Sequence, residues 1–207
     1  MWFDSHCHLF DCEGDPEAIL TRAREAAVED LLVAGTNVET SRRALELARL
    51  PGVHAAVGLH PSDATSWSDE VMAEIAELAN ERGAVAIGET GLDFYWDKSS
   101  EDAQRRSCES QIALAARTDK ALVVHTRESV DAALEMLEGR SARVVFHCWS
   151  ASAPQLSRAQ ALGAYISFAG NVTFKNDRGL RERAAEVSPD KLLIETDSPY
   201  LAPVPFR

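Results

Sequence analysis

Two histidines near the start of the chain have the spacing of a pair of metal ligands. His6 and His8 are separated by one residue in a segment that begins with the apolar residues Trp2 and Phe3. In an extended strand, alternate side chains point to the same face, so both imidazoles would lie together while Cys7 faces the other way. A His-x-His pair alone is frequent by chance and supplies half of a metal site. The pair therefore predicts a metal only if further ligands come from elsewhere in the chain.

The elements that must position such ligands follow a repeating pattern. Short β-branched runs alternate with amphipathic helical patterns, which is typical of βα units that build a parallel sheet. The predicted strands cover residues 2–6, 30–35, 53–59, 84–89, 121–125, 143–147, 164–168 and 191–196. Helical patterns between them include residues 16–27, 40–49, 68–82, 101–118 and 128–137. Eight such strands favour an α/β fold of the (β/α)8 TIM-barrel type over a doubly wound open sheet, which usually has about five to seven strands.

The length of the chain is short for this architecture. The 207 residues, 45% hydrophobic and 26% charged, predict a single globular domain covering residues 1–207. A TIM barrel typically has about 250 residues, whereas this sequence ends ten residues after Asp197, directly behind the eighth predicted strand. We therefore expect a barrel that lacks its C-terminal closing helix, with its last strands covered by another element such as a second subunit. Such a form would be less stable than a longer relative, or would oligomerise.

The composition opposes several classes of function. Asp and Glu outnumber Lys and Arg by 33 to 21, and the net charge of −12 opposes wrapping of nucleic acid over the whole surface. One anionic group can still bind where a metal supplies the positive charge. No segment approaches the roughly 18 apolar residues of a membrane span, and the start lacks the pattern of a signal peptide. The four cysteines have no C-x-x-C spacing, so we expect reduced thiols and a cytoplasmic protein with no membrane partner.

The predicted strand ends hold most residues that could bind a metal. The active site of a TIM barrel lies at the carboxyl ends of its strands, and five of the six histidines stand there, with His54 the exception. The ligand candidates at these ends are His6, His8, Glu89, His125, His147 and Asp197. Imidazoles mixed with carboxylates suit Zn, Mn, Fe or Co, and Mg with more water. Six ligands are too many for one catalytic ion, so we expect two ions that share a bridging carboxylate and hydrolyse a phosphoester or an amide.

Each ligand candidate also has an ordinary structural explanation. Glu89 follows an apolar run in which an unpaired carboxylate would be costly, so metal binding explains it better. His125 and His147 each end a β-branched run and could instead bond to a loop carbonyl. Asp197 could cap the turn that follows it, and Glu195 is expected to point the other way by strand alternation and to be structural.

Three further residues at the strand ends are weaker candidates. His60 precedes Pro61 and would serve either the substrate or a turn. Asp93 would orient a metal-binding side chain through a hydrogen bond, without binding the metal itself. Arg127, two residues after His125, could bind a phosphate, although a surface salt bridge is equally compatible with its position.

Taken together, these stretches resemble the TatD-type metal-dependent deoxyribonucleases of the amidohydrolase superfamily. The matching stretches are FDSHCHL at 3–9, VGLHP at 57–61, GETGLDF at 88–94, VHTR at 124–127, FHC at 146–148 and ETDSPYLAP at 195–203. They run through nearly the whole chain, and their joint specificity is high. Members of the family usually continue past the position of Arg207 with a loop and a closing helical stretch, and this sequence departs from them there.

The resemblance implies a barrel with two divalent metal ions. It assigns His6, His8 and Asp197 to one ion, His125 and His147 to the other, and Glu89 to a bridge between them. Asp197 would also orient or deprotonate the attacking water, and His60 and Arg127 would lie near the scissile phosphate. The implied reaction is hydrolysis of phosphodiester bonds in DNA, commonly by an exonuclease acting on single strands or 3′ ends. Mg or Mn would support activity, and Zn, Fe or Ni are further ions that the site would bind.

Two other functions stay compatible with the sequence. The same metals could serve an ester or amide hydrolase such as an aminoacyl-tRNA deacylase, because an acidic surface fits a small or end-bound substrate. The chain could instead be an inactive, truncated form that binds metal without turnover. Comparing the rates of hydrolysis of an oligonucleotide and of an acylated tRNA would distinguish the nuclease from the deacylase.

Overall fold

Eight parallel strands follow one another in chain order around a nearly closed barrel. The computed structural model of the chain describes residues 1–176 and 178–207. The strands are β1 (Trp2–Cys7), β2 (Val28–Ala34), β3 (Val53–Val57), β4 (Ala84–Asp93), β5 (Ala121–Arg127), β6 (Arg143–Phe146), β7 (Tyr165–Phe168) and β8 (Leu192–Ile194). From β1 to β8, each strand pairs in parallel with the next. The fold is a (β/α)8 TIM barrel, so the predicted fold class is confirmed.

Helices alternate with these strands throughout. They are α1 (Pro16–Glu25), α2 (Val38–Leu47), α3 (Asp69–Ala79), α4 (Glu101–Thr118), α5 (Val130–Leu137), α6 (Ala153–Ala161) and α7 (Arg178–Glu186). Three short 3-10 helices cover Leu9–Asp11, Pro61–Ser66 and Gly170–Thr173. None of the helices in the described ranges has both the length and the apolarity needed to cross a membrane.

The predicted element boundaries differ from the observed ones where a local feature intervenes. Helix α4 has the bounds that the sequence predicted. Helix α2 begins two residues earlier than predicted, because the Asn37 side chain accepts the backbone N–H of Thr40 and the Thr40 hydroxyl accepts that of Asn37. Strand β4 continues to Asp93, four residues past its predicted end, and this extension pairs residues 90–93 with residues 124–127 of β5.

Apolar side chains form separate layers inside and outside the sheet. One buried cluster consists of strand residues alone, namely Leu32, Ala34, Ala56, Ala86 and Val123, and fills the barrel interior. A larger cluster lies between the sheet and the helices and includes Ile75, Ile112, Leu134 and Trp149. Polar side chains, and not these apolar ones, occupy the carboxyl end of the barrel.

The barrel closes between β1 and β8 through hydrogen bonds that lie mainly beyond the end of β8. The backbone N–H of Asp197 donates to His6 O at 2.9 Å, and that of His8 donates to Ser198 O at 2.7 Å. The buried carboxylate of Asp4 accepts the backbone N–H of Thr196 at 2.9 Å and its hydroxyl at 2.6 Å. These contacts, called the β1/β8 seam below, hold the first strand of the sheet against the segment that follows the last strand.

The outer faces of β1 and β8 carry exposed apolar side chains. Trp2, Leu192 and Ile194 are all exposed, and no helix follows β8 within the residues that the structure describes. That a second subunit covers this face, and that the protein is less stable without such coverage, remain predictions.

Candidate metal centre

All six predicted metal ligands meet at the carboxyl end of the barrel. Five of them stand near the ends of their strands or just beyond them, and Glu89 lies within the longer strand β4; the six are His6, His8, Glu89, His125, His147 and Asp197. All are buried except His125, whose side chain is 18% exposed. The predicted strand ends are therefore brought together in space, as a parallel barrel requires.

Glu89 divides the ligand atoms into two groups. Its Oε2 lies 3.2 Å from His6 Nε2 and 3.5 Å from His8 Nε2. Its Oε1 lies 2.9 Å from both His125 Nδ1 and His147 Nε2. The two oxygens of one carboxylate thus face different histidine pairs, which is the arrangement expected of a bridging ligand.

The first group, called the β1/β8 group, consists of His6, His8 and Asp197. The Nε2 atoms of the two histidines are 3.3 Å apart, and Asp197 Oδ1 lies 3.7 Å from His6 Nε2 and 3.6 Å from His8 Nε2. A tetrahedral ion with ligand bonds of about 2.0–2.2 Å holds its ligand atoms about 3.3–3.6 Å apart. The spacing of these atoms, together with Glu89 Oε2, therefore fits a divalent ion.

The second group, called the β5/β6 group, consists of His125 and His147. His125 Nδ1 and His147 Nε2 are 3.3 Å apart and share Glu89 Oε1 as their neighbour. A site with three protein ligand atoms is typical of catalytic ions, which also bind water and substrate. The donor set of this group suits that role.

Carboxylates behind the β5/β6 group orient its imidazoles. Asp93 Oδ2 lies 3.2 Å from His125 Nε2, and Glu195 Oε1 lies 3.4 Å from His147 Nδ1. Each carboxylate favours a proton on the nitrogen that faces it, which leaves the other nitrogen free to bind a metal. Asp93 therefore lies where its predicted orienting role requires.

The β1/β8 group is supported by the backbone instead. His8 Nδ1 donates to Ala34 O at 2.9 Å, which leaves its Nε2 as the ligand atom. His6 Nδ1 is buried and has no partner among the described residues. Asp197 has a φ of 56°, a left-handed conformation that aspartate tolerates better than most residues.

Three of the six candidate ligands, Glu89, His6 and Asp197, favour the protonation state that binds a metal. For the other three, His8, His125 and His147, burial lowers the pKa but the facing carboxylates raise it by more, so these imidazoles would release a proton on binding a metal. Burial alone would raise the pKa of Glu89, but the facing histidines, His147 foremost, hold that pKa well below its usual range. Burial, and next the proximity of His147, lowers the pKa of His6. Burial alone would raise the pKa of Asp197, but its hydrogen bond with His8 and the nearby charges of His147 and His6 together lower it. Charged carboxylates and neutral imidazoles are the forms that coordinate divalent ions.

His60 lies beside the centre but is held differently. Its Nε2 is 3.4 Å from Glu89 Oε1, and its Nδ1 accepts the backbone N–H of Ser62 at 3.0 Å. Because Nδ1 acts as an acceptor, the neutral ring carries its proton on Nε2, which faces the centre. His60 is thus better placed to donate a hydrogen bond than to bind a metal, in keeping with its predicted role near the substrate.

Two glycines allow β4 to place Glu89 beside β5. Gly88 and Gly91 have φ values of 137° and 131°, which favour glycine. A Cβ at Gly88 would lie 2.6 Å from Val123 O, and one at Gly91 would collide with His125 O. The close approach of the two strands is what brings Glu89 Oε1 within reach of the β5/β6 group.

A cleft of about 750 Å³ opens onto the centre. Its lining includes His60, Glu89, His125, His147 and Asp197, together with Trp96, Lys98 and Arg127. Arg127 is exposed and packs on the ring of Tyr95, 3.8 Å from the ring centroid. No ion pair of Arg127 is found among the described residues, so the surface salt bridge offered as its alternative is not seen.

The sequence-based prediction for the direction of the Glu195 side chain was wrong. Its buried side chain contacts His147 and accepts the backbone N–H of Cys148 at 2.7 Å. Together with His6 and His147 it forms a further cluster of ligand atoms lying within 4.8 Å of one another. The signal was present, because Glu195 and Asp197 are two residues apart and strand alternation directs such pairs to one face.

Comparisons with known proteins match this architecture over nearly the full chain. A family model described as TatD related DNase matches residues 3–207. The uncharacterized metal-dependent hydrolase YabD of Bacillus subtilis is 38% identical over 213 residues, covering 100% of this chain and 84% of that protein. A protein of Pectobacterium parmentieri named 3′-5′ ssDNA/RNA exonuclease TatD is 34% identical over 202 residues, covering 94% of this chain and 77% of that protein.

A solved structure shows the same fold. The crystal structure of YJJV, a TatD homolog from Escherichia coli K12, superposes with a TM-score of 0.90 at 32% sequence identity. The superposition covers 97% of this chain and 80% of that one. The similarity therefore includes the strands whose ends carry the candidate ligands.

Proposed function

The chain belongs to the TatD-related DNase family of metal-dependent hydrolases, and from this premise we propose that it removes nucleotides from the 3′ end of single-stranded DNA with two divalent ions. The observation that carries the proposal is the position of Glu89, whose two oxygens face two separate groups of ligand atoms. The exonuclease name of the Pectobacterium relative supports a nucleic-acid substrate. Mg or Mn are the proposed ions for activity, and Zn, Fe or Ni also suit the donor set.

Two bound ions would supply the positive charge that attracts a phosphate and makes a water molecule more acidic. Side chains of the protein would then accept the proton and contact the phosphate. Asp197 keeps a charged carboxylate at the edge of the cleft, where it can accept the proton of the attacking water. His60 presents Nε2–H to the same space and can donate to a phosphate oxygen. Arg127 would contact the phosphate from the outer edge of the cleft.

The charge of the protein favours an end-bound substrate. With 33 acidic residues against 21 basic ones, the surface repels an extended polyanion. The cleft is lined by Lys98 and Arg127 and also by the carboxylates Asp11, Asp63, Glu89, Asp93 and Asp197, so the proposed ions would supply most of its positive charge. A strand that enters by its end meets this charge and avoids most of the acidic surface.

The test is cleavage of a 5′-labelled single-stranded oligonucleotide after removal of metal with EDTA and re-addition of Mg or Mn. We expect a ladder that shortens from the 3′ end, absent with EDTA and in Glu89→Ala. The matched control is His54→Gln, because His54 pairs with the partly exposed Asp30 near the start of β3, at the opposite end of the strands. Retained cleavage in Glu89→Ala, or hydrolysis of acylated tRNA without cleavage of the oligonucleotide, would overturn the proposal. The cytoplasmic location and the oligomeric state stay predictions.

A further inference from the structure

Two exposed aromatic side chains stand directly beyond β4 at the edge of the cleft. Tyr95 is 49% exposed and Trp96 is 50% exposed, although large aromatic rings are usually well buried. Their ring centroids are 4.9 Å apart and the rings are nearly perpendicular, at 89°. Exposed aromatic surface beside a polar cleft indicates a binding role more than a packing role.

Arg127 completes this aromatic surface with a flat cation. Its guanidinium carbon lies 3.8 Å from the centroid of Tyr95 and 5.4 Å from that of Trp96. Aromatic rings and guanidinium planes are the groups on which proteins stack unpaired nucleobases. Lys98 lines the same cleft and adds a cation suited to a neighbouring phosphate. This combination matches a nucleotide better than it matches an apolar ligand.

Asp93 ties the aromatic surface to the metal centre. Its Oδ1 accepts the backbone N–H of Tyr95 at 2.9 Å and that of Trp96 at 3.1 Å. Its Oδ2 lies 3.2 Å from His125 Nε2. One carboxylate therefore holds both the turn that carries the aromatic rings and a proposed metal ligand. This link fixes the turn that carries the aromatic rings relative to the β5/β6 group.

We propose that Tyr95, Trp96 and Arg127 form a stacking site for an unpaired nucleobase of the substrate strand. The inference rests on the proposed function, because it assumes that the substrate is a nucleic acid. Bases inside a duplex are paired and stacked on both faces, and a terminal base must unpair before it can turn onto the site, so the site favours single strands over duplex ends. Every base has a flat face, so the site is tolerant of sequence.

The test compares two single-stranded oligonucleotides, one intact and one with abasic residues at its last positions before the 3′ end. Trp96→Ala should raise KM for the intact oligonucleotide by about 5-fold to 100-fold, the range for loss of one base–aromatic stack, with a much smaller change in kcat. The abasic oligonucleotide should have a raised KM with the unaltered protein and show little further change in Trp96→Ala. Trp96→Phe, which keeps an aromatic ring, should retain most of the affinity. Trp2→Ala serves as the control, because Trp2 is an exposed tryptophan remote from the cleft.

The outcomes separate this inference from the proposed function. If the unaltered protein cleaves oligonucleotides and Trp96→Ala raises KM equally for both substrates, the stacking site is refuted while the nuclease activity stands. If the unaltered protein cleaves neither, binding of the two fluorescein-labelled oligonucleotides is measured by anisotropy with Mn present. Base-dependent binding that is lost in Trp96→Ala would then support the stacking site alone. Binding that is absent, or independent of the bases, would refute it.

Discussion

The two ligand groups of the candidate metal centre are built in different ways. In the β1/β8 group, His6 is fully buried and His8 is held by the carbonyl of Ala34. In the β5/β6 group, each imidazole is backed by a carboxylate, and His125 is partly exposed to the cleft. Carboxylates behind an imidazole make it a stronger base and a better ligand. The difference indicates that the first group is an anchored site and that the second, through His125, is the more substrate-facing one, while Asp197 of the first group also lines the cleft.

The largest effect is expected where the two groups join. Replacing Glu89 with alanine removes the carboxylate whose two oxygens face the two groups, so both ions should be lost together. Activity should fall by at least about 10³-fold, since metal charge stabilises the transition state by several kcal/mol. Metal content, measured by elemental analysis after gel filtration, should drop from about two ions per chain to none. Loss of a single ion would mean that Glu89 serves one group only.

A smaller effect is expected at Asp197, which belongs to the β1/β8 group and also faces the cleft. Asn at this position keeps the size and one oxygen but cannot accept a proton as a carboxylate does. Asp197→Asn should lower kcat by about 10²-fold to 10⁴-fold, the usual contribution of a general base. The β5/β6 ion should remain, so metal content should fall by no more than one ion per chain. Unchanged kcat in this variant would assign the proton transfer to another group.

The carboxylates behind the β5/β6 group should contribute less. Asp93→Asn and Glu195→Gln keep the shape of each side chain but weaken its hold on His125 or His147. Each should reduce metal affinity or activity by about 10-fold to 100-fold, as is common for residues that orient metal ligands. Competition with a fluorescent chelator would measure the affinity of each ion. Excess metal should restore much of the activity, whereas no rescue would indicate a direct role in the reaction.

Much of this centre was predictable because strand ends in a parallel barrel converge whatever the details of the loops. His6, His8, Glu89, His125, His147 and Asp197 all stood at predicted strand ends, and the structure brings them together. The sequence does not predict that the two carboxylate oxygens of Glu89 face different ligand groups. That arrangement depends on the close approach of β4 and β5 at Gly88 and Gly91. The role of Arg127 against Tyr95 and Trp96 depends on loop geometry, which local sequence patterns do not specify.

The smallest effect is expected at the β1/β8 seam, which supports one ligand group and not the other. Asp4→Ala removes the buried carboxylate that accepts the Thr196 N–H and hydroxyl, and hydrogen bonds to a charged group contribute about 1.5–3 kcal/mol. Urea unfolding should show a loss of this size. The matched control is Asp30→Ala at the other end of the barrel, where a partly exposed pair with His54 should contribute about 0–1 kcal/mol.

The same variant tests whether the seam holds the β1/β8 group in place. Thr196 is adjacent to Asp197, and the Asp197 N–H donates to His6 O, so loosening the seam should move both ligands. Asp4→Ala should therefore weaken one ion by about 10-fold and leave the other nearly unchanged. If both ions weaken equally, the two groups respond as one unit through Glu89. The distinction between an anchored site and a substrate-facing site would then have to be abandoned.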